Sequence, residues 1–110
     1  NIVAIVDYNK KQIDGPTDDV LSLGDLRAKY ESFGWKVWEC NGNDMQELVD
    51  TFNKIRENAH KGQSQILLAH TEMGMGVDFM MGTHKWHGVA PNDEQAANAL
   101  SQLKETLGDY

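Results

Sequence analysis

The stretch that decides the fold is IVAIVDYNKKQIDG, residues 2–15. It opens on an uninterrupted run of apolar, mostly β-branched residues and becomes polar at Asp7. A short run of this kind predicts a strand that is buried on both faces, as in a parallel sheet. Polar side chains just after such a strand lie where open α/β sheets bind ligands. The opening residues therefore predict both a strand and a binding site.

Alternating helix and strand patterns follow this stretch. Residues 7–24 are turn-rich and predict a loop, and residues 25–33 predict a short helix that ends before Gly34. Residues 35–40 alternate apolar and polar side chains, which predicts a strand nearer an edge of the sheet than the first. Asp44 and Glu47 then form a capping-box pattern, which begins a helix that runs to about His60.

The later part of the chain adds one more strand and one more helix. The predicted buried stripe of the helix that starts at Asp44 consists of Met45, Leu48, Val49, Phe52 and Ile55. Residues 65–69 predict a third strand, and residues 70–91 have no regular period. That loop is rich in methionine and aromatic residues, which predicts packing rather than disorder. Asn92 is the expected N-cap of a last helix with a buried stripe of Ala96, Leu100, Leu103 and Leu107, and Gly108 ends it.

The order of these elements predicts an α/β fold, with a mostly parallel sheet and flanking helices. Three strands are too few for a self-standing doubly wound domain, and Asn1 leads directly into a strand. We therefore expect that the chain is a fragment of a longer protein. The rest of the sheet would come from upstream residues or from another chain.

Composition restricts the class of protein. The chain has 110 residues, enough for one domain, and 17 acidic against 10 basic residues give a net charge of −7. This balance argues against a nucleic-acid-binding protein, which needs a basic face. No apolar run is long enough to span a bilayer, and no signal-peptide pattern is present. The single Cys40 cannot form an internal disulfide, so we expect a reducing cytoplasm and a structural role for this residue.

Three patterns could carry chemistry. Asp7 and Asn9 follow the first strand and offer oxygen ligands of the kind that Mg²⁺ prefers, although the spacing alone favours a plain polar turn. His84 and His87 are spaced as a zinc pair would be on a helix, but no cysteine or HExxH pattern accompanies them, so a surface loop remains open. The glycines around Met73 are not a dinucleotide fingerprint.

Together, these pieces resemble a known family. The segments AIVDYNKKQIDG (residues 4–15), DLRAKYESFGWKVWECNGND (25–44), AHTEMGMGVDFM (69–80) and WHGVAPNDEQ (86–95) resemble transketolase. The match is to the second half of its thiamine-diphosphate-binding (PP) domain. It is similar above all to the amino-terminal subunit of bacterial transketolases that are split into two chains. Residues 1–110 are then the carboxy-terminal part of such a domain.

The resemblance implies roles for particular residues. The side chain of Asn9 would ligate Mg²⁺ and contact the cofactor diphosphate, and the backbone carbonyl of Lys11 would be a second metal ligand. Ile13 would pack against the cofactor ring. Met73 would line the cofactor, at a position where many relatives carry lysine. His87 would lie between the diphosphate and the sugar substrate, as the catalytic residue.

The resemblance also implies what the chain works with. The cofactors would be thiamine diphosphate and Mg²⁺ (or Ca²⁺ or Mn²⁺), and the substrates sugar phosphates of the pentose phosphate pathway. The family's Gly-Asp-Gly metal ligand is absent from this sequence. The glutamate that activates the cofactor belongs to a carboxy-terminal (Pyr-domain) subunit. We expect a heterotetramer with two copies of each subunit, and neither nucleic acid nor a membrane as a partner.

Two alternatives remain open. One is a related thiamine-diphosphate enzyme that acts on another sugar, either a modified or sulfonated ketose or, less in keeping with QIDG and WHG, the substrates of a deoxyxylulose-phosphate synthase. The other is a non-catalytic binding module of the flavodoxin-like kind. Such a module would have a full set of five strands in one chain, which this sequence lacks.

Overall fold

A computed structural model describes residues 2–104 of the protein. The strands are β1 (Val3–Tyr8), β2 (Lys11–Gln12), β3 (Gly15–Pro16), β4 (Lys36–Asn41) and β5 (Gln65–His70). The helices are α1 (Thr17–Leu21), α2 (Leu26–Ser32), α3 (Met45–Glu57) and α4 (Asp93–Gln102). None of the helices within these residues is long and apolar enough to cross a membrane.

The main sheet has the strand order β1-β5-β4, and both pairings are parallel. Gln65, at the start of β5, pairs with Val3 on one side and with Lys36 on the other. Helices α2 and α3 follow β1 and β4 in the chain and cover opposite faces of the sheet. The predicted α/β class and the mostly parallel sheet are confirmed.

The central strand is β5, and the burial predicted for β1 is wrong. Val3 and Ile5 of β1 are 46% and 58% exposed, whereas Ala4 and Val6 pack on the α2 side. Among the described residues, β1 pairs with β5 along one edge only. The face of β1 that carries Val3 and Ile5 is exposed. By contrast, residues 65–69 are all buried, because β5 has a strand on each side and a helix on each face. The sequence places β4 nearer an edge than β1, but both strands flank β5.

Two small cores hold the layers together. On the α3 side, Cys40, Ile55, Leu67 and Ala69 are buried against one another. On the α2 side the core contains Val37, Ile66 and Leu68, with half-buried Leu26, Tyr30 and Trp35 packed on it. The thiol of Cys40 lies in the first core, in agreement with the structural role expected of it.

The predicted helical stripes are only partly buried. In α3, Thr51 and Ile55 are buried and Leu48 is half-buried, whereas Met45 and Val49 are exposed. Phe52, also predicted as buried, is 39% exposed. The helix packs through the face of Leu48, Thr51 and Ile55, and the rest of the stripe points away from the sheet.

In α4 the buried residue is Ala99, and Ala96 of the predicted stripe is half-buried. Leu100 is 71% exposed and Leu103, the C-cap residue, 47%, so the burial predicted for these two is wrong. α4 packs against the rest of the chain through Ala99, which directly precedes Leu100. Leu107 and Gly108 lie outside the described residues.

The helix boundaries follow the predicted caps. Asp25 caps α2, and Gly34 follows with a φ of +81°, a conformation that favours glycine. Asp44 accepts from the backbone N–H groups of Gln46 and Glu47. The carboxylate of Glu47 instead accepts from the Asn41 N–H at 2.8 Å, so this capping box is only half formed. A complete capping box stands at Asn92, the predicted N-cap of α4.

The predicted loop over residues 7–24 contains structure that the sequence did not indicate. β2 and β3 form a small antiparallel hairpin, and α1 follows directly. The hairpin starts three residues after β1 and lies beside the carboxyl ends of the sheet, where it forms part of the candidate site.

Candidate functional site

A cavity of about 310 Å³ opens at the carboxyl ends of the three parallel strands. Each strand contributes its last residue or the loop that follows it. The lining residues are Tyr8, Asn9, Lys10, Lys11, Asn41, Asn43, His70, Thr71, Glu72 and Met75. This is the edge at which open α/β sheets bind their ligands.

The segment of residues 9–11, which we call the Asn9 loop, has a defined shape. The side-chain oxygen of Asn9 accepts from the backbone N–H of Lys11 at 2.9 Å, and Lys10 between them has a φ of +59°. Lys11 pairs with Pro16, whereas Thr17 N–H donates to the Lys10 carbonyl at 3.0 Å. Because backbone groups alternate in direction along an antiparallel pair, the N–H and C=O of Lys11 both point away from Pro16. The Lys11 carbonyl therefore faces the side on which Asn9 lies.

Glu72 connects the Asn9 loop to the loop after β5. Its Oε1 accepts from Nζ of Lys11 at 3.2 Å and from the Gly82 N–H at 2.8 Å. Its own N–H donates to Oδ1 of Asn43 at 2.6 Å. The Gly82 N–H, and after it the Lys11 ammonium, lower the pKa of the Glu72 carboxyl, so it carries a negative charge at neutral pH.

The floor of the site is closely packed. Thr71 donates its hydroxyl to the Asp7 carboxylate, which joins the ends of β5 and β1. Gly42 N–H donates to the His70 carbonyl at 2.7 Å, which joins β4 to β5. A Cβ on Gly42 would lie 2.5 Å from Cγ2 of Thr71, so no larger residue fits there without a shift.

A charged network lies behind His70. Nε2 of His70 is 2.7 Å from Oε2 of Glu39, and the other oxygen of Glu39 accepts from Nε of Arg27. The hydrogen bond with His70, and then that with Arg27, lower the pKa of the Glu39 carboxyl. The same pairing raises the pKa of Arg27. The ring of His70 also packs against Tyr8, with centroids 5.5 Å apart, so the network helps to fix one wall of the cavity.

The cavity brings together some of the residues that the sequence singled out. Asn9 and Lys11 line it. Ile13 is 67% exposed at the hairpin turn, Met73 is half-buried, and His87 is exposed, and none of these three is among the lining residues. Met75, two residues beyond Met73, does line the cavity.

The long loop over residues 71–91 is folded, as its composition predicted. Trp86 donates its indole N–H to the Phe79 carbonyl at 3.0 Å and packs edge-on against the Phe79 ring. Val77 is buried, and the Asp78 N–H donates to Gln102 of α4 at 2.8 Å. His87 is placed by this fold, with its N–H donating to the His84 carbonyl at 3.1 Å.

Beyond the segment that follows β1, sequence reasoning missed five polar residues of the cavity, namely Asn41, Asn43, His70, Thr71 and Glu72. The signal was present, since each follows or ends a predicted strand. The carboxyl-edge argument that selected Asn9 applies equally to β4 and β5, because parallel strands end at the same edge.

The site fits part of a metal-bound diphosphate site. Asn9 and Lys11 offer two neutral oxygens, which suit a hard divalent cation, and Lys10 and Lys11 carry positive charge that suits a diphosphate. No cluster of three or more His, Cys, Asp or Glu side chains occurs within residues 2–104 that could hold a metal by itself.

A family model described as "Transketolase, thiamine diphosphate binding domain" matches residues 1–108. The chain belongs to the transketolase family. Membership accounts for the cavity at the carboxyl edge of the sheet and identifies the domain as the one that binds thiamine diphosphate. It also makes a flavodoxin-like module the wrong class.

Curated relatives include subunits of transketolases. The chain is 39% identical over 107 residues to one subunit of the apulose-4-phosphate transketolase of Phocaeicola vulgatus, covering 97% of this chain and 37% of that protein. It is 30% identical over 105 residues to the 6-deoxy-6-sulfo-D-fructose transketolase subunit SqwG of a Clostridium species, covering 96% and 38%. The chain thus spans less than two fifths of the length of these transketolase subunits.

Solved transketolases have the same fold. A Pichia stipitis transketolase in complex with fructose 6-phosphate matches with a TM-score of 0.79 at 24% identity, covering 92% of this chain and 15% of that one. The Campylobacter jejuni transketolase matches with a TM-score of 0.73 at 27% identity, covering 93% and 16%. The parallel sheet and its flanking helices are therefore those of a transketolase domain.

Proposed function

We propose that this chain is part of the amino-terminal subunit of a split transketolase, and that its residues form the carboxy-terminal part of the thiamine-diphosphate-binding (PP) domain. The holoenzyme would transfer a two-carbon ketol unit from a ketose phosphate to an aldose acceptor. The observation that carries the proposal is that Asn9 and Lys11, joined by a hydrogen bond, line the cavity at the carboxyl edge of a sheet that belongs to the thiamine-diphosphate-binding domain of the family. Relatives that are named as subunits of apulose-4-phosphate transketolases support the division of the enzyme into two chains.

In this proposal the residues of the chain bind and orient. The Asn9 oxygen and the Lys11 carbonyl hold Mg²⁺ (or Ca²⁺ or Mn²⁺), and Asn9 also contacts the diphosphate. Ile13 packs against the cofactor ring, and Met73 lines the cofactor. Thiamine diphosphate, when bound, supplies the electron sink for cleavage of the C2–C3 bond of the ketose. His87 donates a hydrogen bond between diphosphate and sugar and moves a proton at its ring nitrogen.

The remaining groups come from outside residues 2–104. The main metal carboxylate belongs to the Gly-Asp-Gly end of the family's cofactor motif. The glutamate that activates the cofactor belongs to the carboxy-terminal (Pyr-domain) partner subunit, in a heterotetramer with two copies of each. We place this assembly in the cytoplasm.

Calorimetry on the full-length subunit, reconstituted with its partner, tests the cofactor site. We expect thiamine diphosphate to bind with Mg²⁺ present and binding to be lost in a chelator. Asn9→Ala would weaken binding about 10-fold or more, since it removes a metal ligand. Asn53→Ala is the matched control, because Asn53 lies on the exposed part of α3, where its side-chain oxygen accepts from Arg56. Binding that is indifferent to the metal would refute the assignment.

The ketose is the open part of the proposal. One relative is named for apulose 4-phosphate and another for 6-deoxy-6-sulfo-D-fructose, so a modified or sulfonated ketose is the second candidate. A panel of donors that includes an unmodified ketose phosphate, apulose 4-phosphate and the sulfonated ketose separates these candidates by kcat/KM. Pyruvate in place of the ketose tests for a deoxyxylulose-phosphate synthase, for which we expect no turnover.

A further inference from the structure

Lys11 brings a positive charge to a loop that is proposed to hold a cation. Its side chain is 15% exposed, so water screens this charge only in part. Two like charges at close range in a partly buried site repel each other strongly. The direction of the Lys11 side chain therefore matters to the metal site, even though the proposed ligand is the backbone carbonyl.

Glu72 determines that direction. Its Oε1 is 3.2 Å from Nζ of Lys11, and the Gly82 N–H donates to the same oxygen at 2.8 Å. The backbone of Glu72 is also fixed, because its N–H donates to Asn43 at 2.6 Å. Glu72 is thus held at its backbone by Asn43 of the β4–α3 loop and at its carboxylate by Gly82 of the loop after β5.

The Asn9 loop has few hydrogen bonds of its own. The strands β2 and β3 have two residues each, and Lys10 adopts a left-handed conformation that costs free energy for a residue with a side chain. A conformation of this kind persists only where the surroundings hold it. Among the described residues, the ion pair between Glu72 and Lys11 is the side-chain hydrogen bond that ties this segment to a distant part of the chain.

We propose that Glu72 is a positioning residue for cofactor binding: by holding Lys11 it fixes the loop that carries the Asn9 oxygen and the Lys11 carbonyl, and it offsets the Lys11 charge beside the cation. The inference rests on the proposed function for the identity of the ligand. It adds a role for a residue that lies outside the set Asn9, Lys11, Ile13, Met73 and His87. Glu72 also links the Asn9 loop to the loop that carries His87, through its bond to Gly82.

Calorimetry and amide hydrogen exchange on the reconstituted holoenzyme test this role. We expect Glu72→Ala to weaken Mg²⁺-dependent binding of thiamine diphosphate about 10-fold, the low end for residues that orient metal ligands. Glu72→Gln keeps a hydrogen-bond acceptor and should lose less. In the protein without cofactor, the Lys11 amide should exchange faster in Glu72→Ala, because the loop that holds it opens more often. Glu31→Gln, a carboxylate on α2 that bonds to Arg27, is the matched control and should change neither quantity.

A double substitution decides whether Glu72 acts through Lys11. In a Lys11→Met background, which keeps the backbone carbonyl, Glu72→Ala should cause little further loss of affinity. Losses that simply add, or unchanged exchange at Lys11 in Glu72→Ala, would overturn the inference. Failure of the proposed function has a different signature, since it appears in the unsubstituted protein as cofactor binding that is absent or independent of Mg²⁺.

Discussion

The indole nitrogen of Trp38 donates to Oε1 of Gln65 at 3.0 Å, from the flanking strand β4 to the central strand β5. Gln65 is 3% exposed, and its Nε2 donates to the Ile55 carbonyl in α3 at 3.0 Å. One buried amide therefore joins the start of the central strand to a neighbouring strand and to the covering helix. The Trp38 indole N–H and the Ile55 carbonyl are largely shielded from water, so both depend on the Gln65 amide for a hydrogen bond.

Gln65→Met should lower the free energy of unfolding by about 2–4 kcal/mol, because it leaves a shielded donor and a shielded acceptor without partners. Denaturant unfolding measures the change. Gln63→Met is the matched control, since Gln63 is exposed and donates to the Gly34 carbonyl. It should cost less than about 1 kcal/mol. Equal losses in the two variants would show that the buried amide has no special role.

Gly42→Ala should destabilise the protein by about 1–3 kcal/mol through overpacking at the floor of the cavity. The added Cβ would lie 2.5 Å from Cγ2 of Thr71 and 3.0 Å from Cβ of Ala69. Thr71→Ser removes that Cγ2 and keeps the hydroxyl that bonds to Asp7, so it should restore part of the loss in the double variant. Thermal unfolding of the two single variants and of the double variant checks this, and no restoration would contradict the steric cause.

Acid should weaken the network of Arg27, Glu39 and His70. Folding lowers the pKa of Glu39 below the ordinary glutamate value of about 4.5. The contribution of Glu39 to the free energy of unfolding is therefore fully present above that ordinary value. It is lost as the pH falls from there through the pKa of the folded state. Glu39→Gln should cost about 0.5–1 kcal/mol near neutral pH, as expected for a partly exposed pair. The difference from the wild type should shrink at lower pH. Urea titrations between pH 3 and about 7 measure the free energy of unfolding of the two proteins, with Glu57→Gln as control. A difference between Glu39→Gln and the wild type that grows in acid would contradict the expected pH dependence.

His87→Ala should lower turnover of the reconstituted enzyme about 100-fold, the low end for loss of a general acid or base, with a much smaller change in cofactor affinity. His84→Ala is the control from the same loop, because it contributes a backbone carbonyl to His87 that the substitution keeps. Steady-state kinetics and calorimetry give the two quantities separately. Equal losses in both would assign His87 to holding the diphosphate alone.

The order of the elements is predictable from the sequence because its signals are local. Asp25, Asp44 and Asn92 cap helices where their spacing indicated, and the short apolar runs became strands. Burial was less predictable, since it depends on what covers each element. The run at β1 and the run at β5 look alike in the sequence. The chain places the second between two strands, whereas Val3 and Ile5 on one face of the first stay exposed within residues 2–104.

The site was predictable in its place but not in its contents. Asn9 could be selected because it directly follows a strand. Glu72 follows a predicted strand in the same way, but its contacts could not be predicted. They depend on a bond to Lys11, 61 residues away in the chain, and on the fold of the loop that brings Gly82 to the carboxylate. The half-formed capping box has the same origin, since Glu47 finds the Asn41 N–H only when the loop after β4 is in place.

The strand order β1-β5-β4 also governs how the sheet can assemble during synthesis. Neither β1 nor β4 has a partner in the main sheet, among the described residues, until residues 65–70 have left the ribosome, and the first pairing of β1 joins Val3 to Gln65. Contacts between residues so far apart in the chain form slowly, because a long loop must close before any pairing stabilises it. Translation up to about residue 64 therefore leaves unpaired the edges of β1 and β4 that later pair with β5, and unpaired strand edges of this kind favour chaperone contact with the nascent chain.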